Sequence, residues 1–325
     1  MSLAARARVA LAGAALLCLP AGLAAQDYPA KPLRLIVPFT PAGATDVLAR
    51  IVGDGLSKRL GQKVIVDNRP GAGANIGAQL AAQAAPDGYT LLMAPTSVYA
   101  IAMTLYATPG YDLLRDFAPV STIANVPHVL VVPASLGVST TKDLIALARS
   151  RAETLNVASQ GTGTVSHLEA EMFQSMSGVK LTHVPYKGSA PAQMDLLAGR
   201  VELAFDSIAV TLPQVRAGKL RALAVCAEHR ASVLPDVPTM AEAGLPGYKA
   251  ESWLGLLVPA HTPQPVVDRL NRELVALLAD PQTRSTLAER GFEPLSSTPE
   301  QFAARMRGEL ALWAKVVKAS GAKVE

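Results

Sequence analysis

Apolar residues along this chain fall into short unbroken runs, each followed by a polar or glycine-containing loop and then by apolar positions at helical spacing. Leu33, Leu35, Ile36 and Val37 lie between Pro32 and Pro38, as expected of a strand buried on both faces. Pro41, Ala42 and Gly43 break the run, and Val47, Leu48, Ile51, Val52, Leu56 and Leu60 then recur at helical spacing. Thr45 and Asp46 stand where an N-cap and a first-turn carboxylate belong. A strand ending in a Gly loop that feeds a helix aims free backbone N–H groups at one spot, which suits a small anion. The arrangement recurs at Leu155–Ala158, where Ser159-Gln-Gly-Thr-Gly-Thr-Val-Ser-His167 leads into a stripe of Val165, Leu168, Met172 and Met176, with Gly178 at C′.

Between and beyond these units the alternation continues. Strands are expected at Lys63–Val66, Tyr89–Met93, Thr182–Val184, Val201–Phe205 and Arg221–Cys226, and a helix opens at Pro95-Thr96-Ser97. This predicts open, mostly parallel sheets with helices on both faces and ligands beyond the carboxyl ends of the strands. Val120–Val132 reads as a first crossing between two α/β halves and Trp253–Val258 as the return. After Pro259 the chain reads as helical. The expected division is 1–25 as a secretory signal, 26–125 plus 250–280 as lobe 1, and 126–249 plus 281–325 as lobe 2. Sequence alone does not fix which lobe carries the C-terminal helices.

Composition narrows the class. A chain of 325 residues, half of them hydrophobic, can bury two domain cores. Met1–Ala25 has Arg6 and Arg8 ahead of an apolar Val9–Leu19 too short to span a bilayer, and reads as an export signal cleaved after Ala24 or Ala25. Setting Arg6 and Arg8 aside leaves 28 basic against 26 acidic residues, too even and too scattered for a nucleic-acid binder. Cys18 follows Leu16 and Leu17, which does not suit lipid attachment. Cys226 then stands alone, so no intrachain disulfide forms. The product is expected to be exported and soluble.

Candidate chemistry is sparse. Thr40–Asp46 is an anion site or an ordinary capped βα loop. Gly161–His167 lacks the third glycine and the acidic residue of a dinucleotide fingerprint, but Thr162, Thr164 and Ser166 suit carboxylate oxygens or bridging water. His167 and Glu171 stand four apart without a third metal ligand, and read as a surface pair or cap contact. Ser166 and His167 are adjacent and cannot face each other as a nucleophile–base pair, and no Gly-x-Ser-x-Gly elbow occurs. Tyr186-Lys187-Gly188 is a cleft loop or a solvated turn. Asp206 ends a strand, where it could accept from a ligand, hold a water or cap the next helix. No catalytic residue, metal or cofactor is expected.

The motifs themselves carry a resemblance. IVPFTPAGATDVLAR, VDNRPGAGANIGA with APDGYTLLM, SHLEAEMFQSMSGVKLTHVPYKGSAPA with DLLAGRVELAFD, and LPDVPTMAEAGLPGY resemble the signatures of the periplasmic solute receptors of tripartite tricarboxylate transporters, the Bug or TctC-like family. The resemblance runs from about Tyr28 to the end. It implies a two-lobed α/β periplasmic-binding-protein fold of type II (Venus flytrap), monomeric, that closes on a small carboxylated solute and hands it to membrane permease subunits. By position it implicates Phe39, Thr40, Ala42, Gly43 and Asp46, with Thr96 and Ser97, on the first lobe, and Thr162, Gly163, Ser166, His167 and Asp206 on the second. Ala42 and Ala74 stand where the family usually carries Gly. A receptor for a sensor kinase and an exported small-acid hydrolase are the alternatives. Which acid binds is not legible.

Overall fold

The structure, a computed structural model, describes residues 28–151 and 154–320. The expected export signal lies outside them. In chain order the elements are β1 (Leu33–Val37), α1 (Ala44–Leu60), β2 (Val64–Asn68), α2 (Asn75–Ala82), β3 (Thr90–Pro95), β4 (Phe117–Asn125), β5 (His128–Pro133), α3 (Thr141–Ser150), β6 (Leu155–Ser159), α4 (Val165–Ser177), β7 (Leu181–Pro185), α5 (Ser189–Leu197), β8 (Leu203–Ser207), α6 (Ile208–Arg216), β9 (Leu220–Val225), β10 (Trp253–Pro259), α7 (Gln264–Ala279), α8 (Pro281–Glu289), β11 (Glu293–Pro294) and α9 (Pro299–Ser320). A wide π-type turn, Ser97–Ile101, runs on into a short helix, Ala102–Leu105.

Two sheets divide the strands, one in the order β11-β4-β10-β3-β1-β2 and the other β7-β6-β8-β5-β9. Helices cover both faces of each, so neighbouring strand residues enter different cores. Leu35, Leu91 and Met93 pack on one side of the first sheet, and Ile36, Leu92 and Ala94 on the other. In the second sheet Leu130 and Val132 face one core while Val129 and Val131 face its opposite. Burial on both faces is why these strands read as unbroken apolar runs rather than as alternation.

The chain crosses twice. β4 passes through Val126 and Pro127 into β5, and the connection after β9 returns through Ser252 into β10. Val126 N–H donates to Ser252 O at 2.7 Å, so the two crossings are tied side by side. Each crossing delivers a strand that runs against its neighbours: β10 is antiparallel to β3 and β4, and β5 to β8 and β9. The sheets are therefore mixed, with parallel pairs confined to β1-β2, β1-β3, β6-β7 and β6-β8. This corrects the mostly parallel expectation, because a strand that arrives from the other lobe has no crossover helix to turn it parallel.

The placement of 281–325 on lobe 2 also needs correction over the described part. β11 pairs with β4, Leu287 and Phe292 enter the core of the first sheet, and Phe302, Met306 and Trp313 of α9 lie on that sheet's other face. Among the described residues no helix is long and apolar enough to cross a membrane.

Candidate functional site

The lobes meet over a cavity at the carboxyl ends of β1, β3, β6 and β8. Its walls come from both sheets and both crossings. Phe39, Gly43, Ala44, Thr45, Thr96 and Ser97 stand on the first lobe. Gln160, Thr164, Val165 and Ser189 stand on the second. Val126, His128, Ser252 and Leu254 belong to the crossings. It leaves ≈ 30 Å³ for the centres of water-sized spheres, enough for a couple of waters. Phe39 and Gln160 also wall a larger outer compartment of ≈ 380 Å³ beside Gly73, Tyr106, Thr162 and Lys187. Both compartments belong to one interlobe cleft.

On the first lobe the donors are backbone groups. Gly43 is the N-cap of the 17-residue helix α1 and provides no side-chain cap. The amides of Ala44 and Thr45 have no hydrogen-bond partner among the described residues. They sit in the cavity wall at the positive end of the helix. Ser97 Oγ is buried in the same wall, again without a partner. Thr96 is spoken for: its Oγ1 donates to Trp253 O and accepts from Trp253 N–H.

Asp46 does not line the cavity; it shapes the loop that does. Its carboxylate accepts from Ala42 N–H at 3.0 Å, twice from Arg50 at 2.9 Å and from Asn68 Nδ2 at 2.9 Å, while Asn68 also donates to Phe39 O. Burial pushes this carboxyl up, but those bonds and the Arg50 charge outweigh it and hold the group below the usual range. Ala42 is exposed, at a φ of 67°, in the left-handed region that a side chain adopts at a cost. Thr40 Oγ1 is buried without a partner, and a Cβ on Gly188 of the other lobe would meet it at 2.5 Å.

The second loop works differently from the first. Four of its amides are taken up inside the loop: Gln160 N–H donates to Ser166 Oγ, Gly161 to Ser159 Oγ, Gly163 to His167 Nδ1 and Thr164 to Gly161 O, while the first-turn amides of Val165 and Ser166, like those of Ala44 and Thr45, have no hydrogen-bond partner among the described residues. Ser166 and His167 are thus braces rather than cavity walls. His167 stacks on His183 with centroids 4.1 Å apart, and burial, helped by His183, pushes it down to about 4, a neutral ring. Its Nε2 lies 3.6 Å from Glu171, and no third metal donor joins them among the described residues. Thr162 and Gly163 face Tyr106 instead, whose hydroxyl donates to Thr162 O at 2.9 Å across the cleft.

The side chains that this lobe presents to the cavity are organised by Asp206. Its Oδ1 accepts from Gln160 Nε2 at 2.6 Å, Ser189 Oγ at 2.8 Å and Ser207 N–H at 2.7 Å. Burial raises the Asp206 carboxyl despite the opposing charge of His128 and these bonds. Gln160, Ser189, His128 and Ser252 are cavity residues that sequence reasoning did not select. Gln160 is the first residue past β6 and Ser189 the first of α5, so the rule that ligands sit beyond carboxyl ends could have found them. Nothing local marked His128 or Ser252. They reach the cavity only because the crossings pass beside it.

Comparison with known proteins gives a consistent picture. The sequence model of one family, the tripartite tricarboxylate transporter family receptor, matches residues 48–322. Protein BugT of Bordetella pertussis is 38% identical over 306 residues, 94% of each chain. Among solved structures, R. palustris Rpa4515 with adipate is 40% identical with a TM-score of 0.89, over 92% of this chain and 100% of that one. MatC from Rhodopseudomonas palustris with bound malate is 32% identical with a TM-score of 0.85, over 89% and 100%.

Proposed function

The chain belongs to the tripartite tricarboxylate transporter receptor family, and from that premise we propose that its cavity captures a small carboxylate for delivery to membrane permease subunits. It is a periplasmic solute-binding receptor, not an enzyme. The observation that carries the carboxylate reading is the pair of unpartnered N–H groups at the start of α1, facing a buried, unpartnered Ser97 hydroxyl. Donors left without partners in a buried place favour a ligand that accepts, and a carboxylate accepts most strongly. One carboxylate sits on Ala44 and Thr45. The rest of the acid runs toward Thr164, Gln160 and Ser189. Phe39, Thr40, Gly43, Asp46, Asp206 and the braces Ser166 and His167 hold these groups in place. The inner compartment has room for a couple of waters, so seating a whole acid there requires the lobes to part and close again. The working unit is one chain.

A thermal-shift panel of dicarboxylates, tricarboxylates, amino acids and aromatic acids, including adipate and malate, tests the reading, with calorimetry on the acids that respond. At least one acid raises the melting temperature and binds one to one without turnover. A panel with no response at millimolar acid would refute it.

A further inference from the structure

Among the described residues, His128 is the one ionisable residue in the wall of the inner cavity. Its Nδ1 lies 2.8 Å from Glu169 Oε2, and both side chains are almost wholly buried. Backbone bonds fix the two partners: Cys226 N–H donates to His128 O at 2.9 Å, and the Tyr248 hydroxyl donates to Glu169 O at 2.8 Å. Among the described residues His128 Nε2 has no hydrogen-bond partner. His128 lines the cavity, and the charge of Asp206 also acts on its ring.

From this geometry we infer that His128 and Glu169 form a proton-carrying dyad whose Nε2–H recognises an anionic oxygen of the bound acid, so that binding is linked to protonation. If one proton is shared between Nδ1 and Oε2, the pair is either imidazolium with carboxylate or neutral imidazole with carboxylic acid. In both cases Nε2 carries hydrogen and donates into the cavity. If the dyad loses that proton, Nδ1–H must serve the Glu169 carboxylate. Nε2 is then a bare lone pair backed by a net negative charge, which repels an anion. The loaded dyad is neutral and donating; the unloaded dyad is anionic and accepting.

The surroundings favour the loaded form. The titratable groups around the pair are Asp206 on β8, Cys226 just after β9 and Tyr248 in the return connection. Among the described residues no lysine or arginine lines the inner cavity, and Lys187 stands in the outer compartment. Burial alone would push His128 down, but the Glu169 charge and hydrogen bond outweigh it and the ring goes up. Burial pushes Glu169 up more than His128 pulls it back. Both directions keep the shared proton in place. Burial raises Cys226 and Tyr248, which therefore add no charge near neutrality.

The inference rests on the carboxylate reading, and two arms separate them. Calorimetry with adipate and malate, in buffers of different ionisation enthalpy from about pH 6 to 9, reads the linkage. Affinity stays flat at low pH, then falls about tenfold per pH unit above the dyad's value, with uptake of up to one proton. Glu169→Gln flattens that profile, and His128→Leu weakens binding by about 10- to 100-fold. A flat wild-type profile with no proton uptake overturns the inference, even if neither variant folds. The second arm needs no ligand: nitrogen NMR of histidine-labelled protein shows hydrogen on His128 Nε2 at about pH 6.5, and a bare Nε2 there overturns the dyad. If neither adipate nor malate binds, the titration is run with an acid that responds in the thermal-shift panel; if no acid of the panel binds the wild type while Nε2 is protonated, the carboxylate reading fails and takes the recognition role with it.

Discussion

Ala42 shows how much a single position can reveal. The resemblance marked it as a departure from glycine, and the structure gives the reason glycine suits it: a φ of 67° on an exposed loop. A left-handed alanine costs about 1–2 kcal/mol, part of which glycine returns through its freer unfolded chain. Ala42→Gly should therefore stabilise the protein by about 0.5–1 kcal/mol in urea unfolding. Ala74 has a φ of 88° too, but its methyl is buried in a core, so the same change there loses packing. Asp46 was legible as a first-turn carboxylate, but its four bonds to Ala42, Arg50 and Asn68 were not, since Asn68 is 22 residues away. Its folded carboxyl is held below the unfolded value. Its contribution is thus present above about pH 4 and is lost as pH falls through the folded value. Asp46→Ala should cost about 1.5–3 kcal/mol at neutral pH, a gap from wild type that closes in acid unfolding curves.

At the scale of elements, strand–loop–helix units were readable because each strand is buried on both faces and each loop contains glycine. The two Gly loops looked equivalent. They differ in how the loop itself is held: Ser159, Ser166 and His167 place acceptors within reach of Gly161, Gln160 and Gly163, whereas the first loop has only Asp46, which takes Ala42 N–H; at both helix heads the first-turn amides, Ala44 and Thr45 on α1 and Val165 and Ser166 on α4, have no partner among the described residues. β11 was not readable, since two residues carry no period. α9 was readable as a helix, but not the surface it covers. That surface includes Gly255 on β10, where an added Cβ would lie 2.2 Å from the Phe302 ring. Phe302 is fully buried and stacks edge-on to Trp253, so it has little room to move. Gly255→Ala should destabilise the fold by about 1–3 kcal/mol, measurable as a lower urea midpoint with an unchanged slope.

For the whole molecule the issue is closure. Val165 and Leu168 of the second lobe share a core with Ile101, Phe302 and Met306 of the first, and Tyr106 bonds Thr162 across the cleft. Tyr106→Phe removes that bond at the cleft edge without touching the inner cavity. It should weaken acid binding by about 3- to 10-fold and leave the unliganded melting temperature nearly unchanged, by calorimetry and thermal shift. The two-lobed plan followed from two interrupted α/β halves, while the cavity's composition depended on the crossings, which bring in His128 and Ser252 from outside any motif.

The open amides at the head of α1 are the proposed carboxylate grip. Ala44 is the first residue of that helix and Gly43 before it is extended (φ −77°, ψ 168°), so proline fits the backbone at position 44 and removes only an N–H that no protein group uses. Calorimetric titration of the tightest acid of the panel into wild type and Ala44→Pro is the direct test. Affinity at least tenfold weaker in a variant of undiminished stability is the predicted result; equal affinity in the two proteins would contradict a carboxylate held at that helix end.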